Sequence, residues 1–307
     1  MERLPAWREG DAKRTILAFV DAVTASGSAG YVPPSARIAV FDNDGTLWCE
    51  RPTYPQAFFV LERLRELAAE DAALAARPVV RALLAGDLSA ALRFGPDDVS
   101  DVVLRTHAGM SVEAFAEAAA SWLGSAVHPR FGVPFTRLVY RPMLDLLDLL
   151  RTHDFRVFIV TGGGVDFVRS VSEEVYGVRP DDVVGTAVEV AFERVDGRTR
   201  LVRRAALLGG TANEGEPKAL AIGAHIGRRP ILAAGNSAGD REMLEYATTG
   251  DRPGLGIVVE HDDEEREYAY AGASFTDPHA EPILESAAAL GWTVVSMRRD
   301  WDAVFDG

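Results

Sequence analysis

Two side chains are nearly missing from this sequence: it has one cysteine, Cys49, and only two lysines, Lys13 and Lys218, against thirty arginines. A single thiol forms no intrachain disulfide, and a cysteine-ligated zinc site needs several more thiols or histidines in convergent spacing. Reducing conditions therefore suffice. No run of apolar residues approaches the about 18–20 needed to cross a bilayer. The first residues, Met1 to Glu9, lack the uninterrupted apolar core of a signal peptide, so the chain reads as cytoplasmic. Positive charge is scarce as well. Lys+Arg total 32 against 46 Asp+Glu, a net charge of −14, which repels nucleic-acid phosphates and anionic membranes unless charge is strongly segregated. Nucleic-acid and membrane partners are disfavoured on that ground. Where arginine is the default cation, a retained lysine is either chance or a position that wants a compact, flexible ammonium rather than a planar fork.

What is present is ordinary globular material: 307 residues, 48% hydrophobic and 25% charged, enough for one large domain or a core with an inserted unit. Residues 11–24 carry apolar positions at helical spacing and lead into a Gly/Ser/Pro-rich loop. Three short apolar runs follow, Ile38 to Phe41, Val157 to Val160 and Pro230 to Ala234. Each stops at small polar residues and precedes a helix-compatible segment, the signature of strand–loop–helix units in a parallel sheet. Leu255 to Val259 extends that sheet. Between the first two strands the spacing around 56–69, 77–84 and 112–123 is nearer 3.6 than 2, and the stretch is too long for a crossover. The expected architecture is α/β: a Rossmann-like parallel-sheet core from residues 1–49 and 138–307, with a helical cap domain inserted at 50–137. Residues 184–203 alternate on both sides of Asp196-Gly197, a hairpin turn pair, and form a small antiparallel appendage. In the tail, Ile283 to Leu290 reads as helix and Thr293 to Met297 as strand.

Ligands of open parallel sheets bind beyond the carboxyl ends of the strands, and those ends are polar here. Asp42-Asn43-Asp44-Gly45-Thr46 follows the first strand, Thr161-Gly162-Gly163-Gly164 the second, and Gly235-Asn236-Ser237-Ala238-Gly239-Asp240 the third. Lys218 opens a helical segment after Pro217. Asp42 and Asp44 on their own are consistent with a solvated turn. Their place at a strand end lets both converge on one hard cation, and Asn236 or Asp240 would add the oxygen ligands that Mg²⁺ prefers.

In this order the four segments resemble motifs I to IV of the haloacid dehalogenase superfamily, and the helical insertion resembles the cap of its phosphoserine-phosphatase-like subgroup. The resemblance implies a phosphatase that hydrolyses a small phosphorylated organic substrate with Mg²⁺. Asp42 would be the nucleophile that forms an aspartyl-phosphate, and Asp44 the general acid and then base. Thr161 and the backbone N–H groups of Gly162 and Gly163 would hold phosphoryl oxygens. Lys218 would neutralise nucleophile and phosphate together. Asn236 stands where many relatives carry aspartate, so the metal set would be Asp42, Asp44 and Asn236, with Asp240 either orienting a metal water or replacing Asn236 as the ligand. Glu50 and Arg51 lie where the subgroup has an acidic group for a substrate ammonium. Rival readings are phosphotransfer on the same core, dehalogenation on that core, which Asp44 disfavours, and a catalytically silent phosphate-ligand-binding protein.

Other residues receive blander readings. Trp48 is expected to pack, Cys49 to be a small buried side chain, and Ser237 to be a helix cap or a phosphate contact. The run from His261 to Tyr270 is expected to be a solvated acidic helix that could overhang the site. His107, His128, His153, His225 and His279 show no metal-ligand spacing.

Overall fold

The computed structural model describes residues 3–87, 90, 91, 93–274, 277 and 279–306. The apolar runs do form the sheet. In chain order its first strands are β1 (Ile38–Phe41), β2 (Arg156–Gly164) and β3 (Val183–Thr186). A separate hairpin, β4 (Val188–Val195) and β5 (Arg198–Leu207), comes next, and then β6 (Leu232–Gly235), β7 (Leu255–Asp262), β8 (Ala269–Tyr270) and β9 (Thr293–Ser296). The main sheet is ordered β3-β2-β1-β6-β7-β8, with β9 also on β7, and all its pairings are parallel except β7 with β8. All four residues of β1 are buried, as a strand covered on both faces requires. Because β2 lies on one side of β1 and β6 on the other, strand order reverses there. The crevice past the ends of β1 and β6 is thus a topological switch point.

Alternation along the strands divides the core in two. Ala39, Phe41, Ile159, Leu232, Ala234 and Ile257 face one apolar cluster, where Ile16 and Val20 of α1 (Asp11–Thr24) pack. Ile38, Val40, Phe158, Val160, Ala233 and Val258 face the other, with Met243 and Leu244. Each fully buried Val, Leu, Ile, Phe or Met among them contributes about 1.5–3 kcal/mol relative to exposure.

Between β1 and β2 run α2 (Pro55–Glu70), α3 (Ala72–Ala76), α4 (Pro78–Leu84), α5 (Pro96–Arg105) and α6 (Val112–Ser125). The spacing predicts α2, α4 and α6; it does not predict α5, whose signals are Pro96 at its start and acidic residues in its first turn. Leu64, Val79, Val80, Leu83 and Val102 make a small core of their own. Phe59, Phe115, Leu123 and Phe135 instead join the main cluster beside Phe167. The chain leaves for this insertion at Leu47 to Cys49 and returns at Leu138 to Tyr140, and the two crossings are paired: Cys49 N donates to Leu138 O (3.0 Å) and Tyr140 N to Leu47 O (2.9 Å). From there α7 (Arg141–Thr152) leads into β2.

Three expectations change. β2 does not stop at Thr161 but continues through the glycines to Gly164, and Val183–Thr186 pairs parallel with it. The antiparallel appendage therefore begins at Val188, not at 184. Its turn is as expected, Asp196 and Gly197 both having positive φ (50° and 75°), the form that suits right-twisted strands. The run from His261 to Tyr270 is not a solvated helix: it is the end of β7, a turn and β8, with His261, Asp263 and Glu267 buried. Its acidity misleads because Asp263 pairs with Arg266 and Glu267 is surrounded by donors. In the tail, helix Ile283–Leu290 and strand β9 match expectation. Among the described residues no helix is long and apolar enough to cross a membrane.

Candidate active site

The site starts where β1 ends. Asp42 N donates to Ala234 O of β6 (2.9 Å), and the next residues close into a turn in which Asn43 O accepts from Thr46 N (3.2 Å), Leu47 N (2.8 Å) and Trp48 N (3.3 Å). The turn requires a glycine. Gly45 has φ +74°, and a Cβ on it would collide with the Asn236 amide. Trp48 packs as expected but also donates its Nε1 to Oδ1 of Asp44 (2.9 Å), which fixes that carboxylate from behind.

Lys218, 176 residues away, donates Nζ to Oδ1 of Asp42 (2.6 Å) and to Oδ1 of Asp240 (2.5 Å). It sits in a helix, Glu216–Ala221, and is itself buried. The other oxygen of Asp240 accepts from Asn236 N (3.0 Å), Ser237 N (3.0 Å) and Ser237 Oγ (3.2 Å). Ser237 is accordingly a cap, and Asp240 orders both the β6 turn and the ammonium. Burial works against the charge of Lys218, but Asp240 and Asp42 outweigh it and hold the ammonium above the usual lysine range. Burial, then repulsion from Asp240, pushes Asp42 well up, while Lys218 pulls it down. Burial also raises Asp44, against the hydrogen bond from Trp48.

Thr161 is fully buried, and its Oγ1 accepts from Gly163 N (2.9 Å) while its carbonyl accepts from Asn213 Nδ2 (3.0 Å). A Cβ on Gly163 would lie 3.3 Å from Thr161 Oγ1, 3.4 Å from Gln56 Oε1 and 3.5 Å from Asp44 Oδ2, so these three groups converge on the space that the missing side chain leaves. The carbonyl of Gly162 accepts from Thr186 Oγ1 (2.6 Å). Glu50 is buried behind the turn, accepting from Asn236 Nδ2 (3.3 Å), and burial raises its pKa. Arg51 lies over the Tyr270 ring (4.0 Å).

The sequence reading missed several neighbours. Gln56 of α2 accepts from Gly164 N (2.8 Å), a direct link between the insertion and the second motif. Burial, then the charges of Glu50, Asp44, Glu214 and Asp42, push the Tyr54 hydroxyl up. Glu214 accepts from Ser274 Oγ (2.7 Å). Asn213 and Glu214 were findable, standing just before Lys218; Gln56 and Tyr54 carry no local signal.

The donors at the centre suit a hard cation. They are all oxygens, and the carboxylates of Asp42 and Asp240 share one ammonium. Among the described residues no group of three His, Cys, Asp or Glu side chains is arranged to hold a metal. Mg²⁺ does not need one, since it is commonly bound by one or two carboxylates, water and substrate phosphate. Asp240 has both oxygens engaged by its own chain.

The haloacid dehalogenase-like hydrolase profile matches residues 39–245. No curated protein matches the chain. Among solved structures, a conserved functionally unknown protein from Anaerococcus prevotii is 14% identical with a TM-score of 0.54, covering 88% of this chain and 94% of its own. A protein of unknown function from Bordetella pertussis is 17% identical with a TM-score of 0.51, covering 85% and 98%. A probable phosphoserine phosphatase from Vibrio cholerae is 16% identical with a TM-score of 0.39, covering 84% and 67%. With its four motif segments gathered at one switch point and the family profile spanning 39–245, this chain belongs to the haloacid dehalogenase-like hydrolase family.

Proposed function

We propose that the protein is a Mg²⁺-dependent phosphatase acting on a small organic phosphomonoester, with residues 50–137 serving as a cap over a core of 1–49 and 138–307. The observation that carries this reading is the Lys218 ammonium held between Asp42 and Asp240, with Thr161 and Asp44 converging on the open space at Gly163. Asp42 attacks phosphorus in line and forms the aspartyl-phosphate bond as the ester P–O bond breaks. Asp44, whose burial favours the protonated form, gives its proton to the leaving alkoxide. It then takes a proton from water, which attacks phosphorus, releases inorganic phosphate and restores Asp42. Lys218 stabilises the carboxylate before transfer and the phosphoryl oxygens after it. Thr161, with the backbone of Gly162 and Gly163, receives those oxygens in the space that Gly163 leaves open.

Asp42 and Asn236 would hold Mg²⁺ together with water and substrate phosphate, and the ion would supply charge neutralisation and orientation of the phosphoryl group, while the Asp44 carboxyl stays free for proton transfer. Asp240 holds Lys218 rather than the ion. Asp44 favours phosphoryl transfer over halide displacement, since displacement of a halide requires no proton donor. The test is phosphate release from a panel of phosphomonoesters. Release that needs Mg²⁺ and stops with EDTA and with Asp42→Asn supports the reading, and no release from any ester with Mg²⁺ present overturns it.

A further inference from the structure

Glu267 is completely buried, yet it lies outside all four motifs. Its Oε1 accepts from Tyr140 Oη (3.1 Å) and Cys49 Sγ (3.0 Å); its Oε2 accepts from Tyr268 N (2.6 Å) and lies 3.2 Å from His261 Nδ1. Burial opposes the charge, but the bonds from His261 and the other donors hold this carboxyl below the usual glutamate range. The second ring nitrogen of His261, Nε2, is 2.8 Å from Gly45 O. A carbonyl only accepts, so Nε2 carries a proton and donates it.

These partners come from separate places. Cys49 is where the chain departs for the insertion, Tyr140 is where it returns, and Gly45 follows Asp44. Gly45 is held through the peptides on either side of it, its N–H donating to Trp48 O (2.9 Å) and its C=O accepting from His261, while the Trp48 indole holds Asp44. Burying charged groups costs several kcal/mol per ion before any pairing is regained. An apolar pair of the same volume would fill the space at less cost, but it would hold no carbonyl. We propose that His261 and Glu267 are positioning residues: they fix the Gly45 peptide, and with it Asp44, in register with the two chain crossings of the helical insertion. Only the consequence for rate rests on the phosphatase reading.

Without His261, Gly45 loses one of its two backbone anchors at a residue with unusual conformational freedom. Misplacement of a catalytic group by about 1 Å costs about 10²-fold in rate. The test uses the full chain with His261→Phe, which keeps a ring and loses both bonds, and His261→Gln, which keeps a donor for Gly45 O. Two quantities are read: kcat and KM for an alkyl phosphate, and the ¹H–¹⁵N resonance of the Trp48 indole, assigned with Trp48→Phe. His261→Phe should lower kcat about 10²-fold with KM within about 3-fold and displace the Trp48 resonance. His261→Gln should recover at least about 10-fold of that loss. A folded His261→Phe with unchanged kcat, or with a lowered kcat and an unmoved resonance, overturns the proposal. If that variant does not fold, Tyr140→Phe replaces it: a displaced Trp48 resonance supports the proposal, and an unmoved one overturns it. If wild type hydrolyses no ester, the phosphatase reading fails by itself, and the resonance alone decides this one.

Discussion

Replacing Lys218 with methionine keeps the length of the side chain and removes the one ammonium within 2.6 Å of Asp42 and 2.5 Å of Asp240. Removing one partner of a buried ion pair costs about 3–5 kcal/mol. At about 2–4 °C per kcal/mol, the upper range of domain sizes, the melting temperature at pH 7 should fall by about 6–20 °C. The pH dependence has a definite sign. Asp42 is already pushed up by burial and by Asp240, and loss of Lys218 pushes it higher still. A carboxyl whose folded-state pKa lies above its unfolded value of about 3.9 binds more protons folded than unfolded. The variant therefore recovers stability relative to wild type as pH falls from 7 to 5. Mg²⁺ should narrow the deficit at pH 7 by supplying the missing positive charge. Calorimetric melts of both proteins at the two pH values, with and without Mg²⁺, measure all of this. A deficit under about 1 kcal/mol at pH 7, or one that widens on acidification, refutes the reasoning that these carboxylates depend on this ammonium.

Asp44→Asn should lower kcat/KM for alkyl phosphates by about 10²–10⁴-fold and that for p-nitrophenyl phosphate much less, because kcat/KM reports the first transfer and the nitrophenolate leaving group needs no proton; kcat/KM on the two ester types compares them. Gly45→Ala forces a Cβ against the Asn236 amide at φ +74° and should lower stability by about 1–3 kcal/mol, read by denaturant titration, with activity falling further than stability. Glu267 is held below its usual range, so its contribution is present above about pH 4.3 and is lost as pH falls through the folded-state value. Glu267→Gln should thus be less stable at pH 7 by about 1.5–3 kcal/mol and should lack that acid limb in a pH series of melts.

Most of the sheet was legible because buried parallel strands are short apolar runs, and Ile38 to Phe41 or Leu255 to Val259 admit few other readings. The site segments were legible for a related reason: strand ends of a parallel sheet converge, so polar clusters after separate strands meet without any local signal joining them. Lysine scarcity was informative twice. Lys13 is buried too, with Nζ 3.2 Å from Trp7 O and 2.7 Å from Glu9. The rest depended on long-range pairing that composition hides. The His261 to Tyr270 run reads as solvated from its charges, and only the fold shows Glu267 meeting Tyr140 and Cys49. Gln56 looks like any first-turn helix residue until Gly164 is brought beneath it. Thr161 and its glycines were expected to end a strand, but β3 pairs alongside and carries β2 through them.

The proposed phosphatase chemistry requires that Asp42 become covalently phosphorylated. Enzyme quenched in acid during turnover and reduced with borohydride should carry homoserine at position 42, found by peptide mass spectrometry, and wild type not exposed to substrate should carry none. Phosphate release without any label at Asp42, or with the label at another carboxylate, contradicts it.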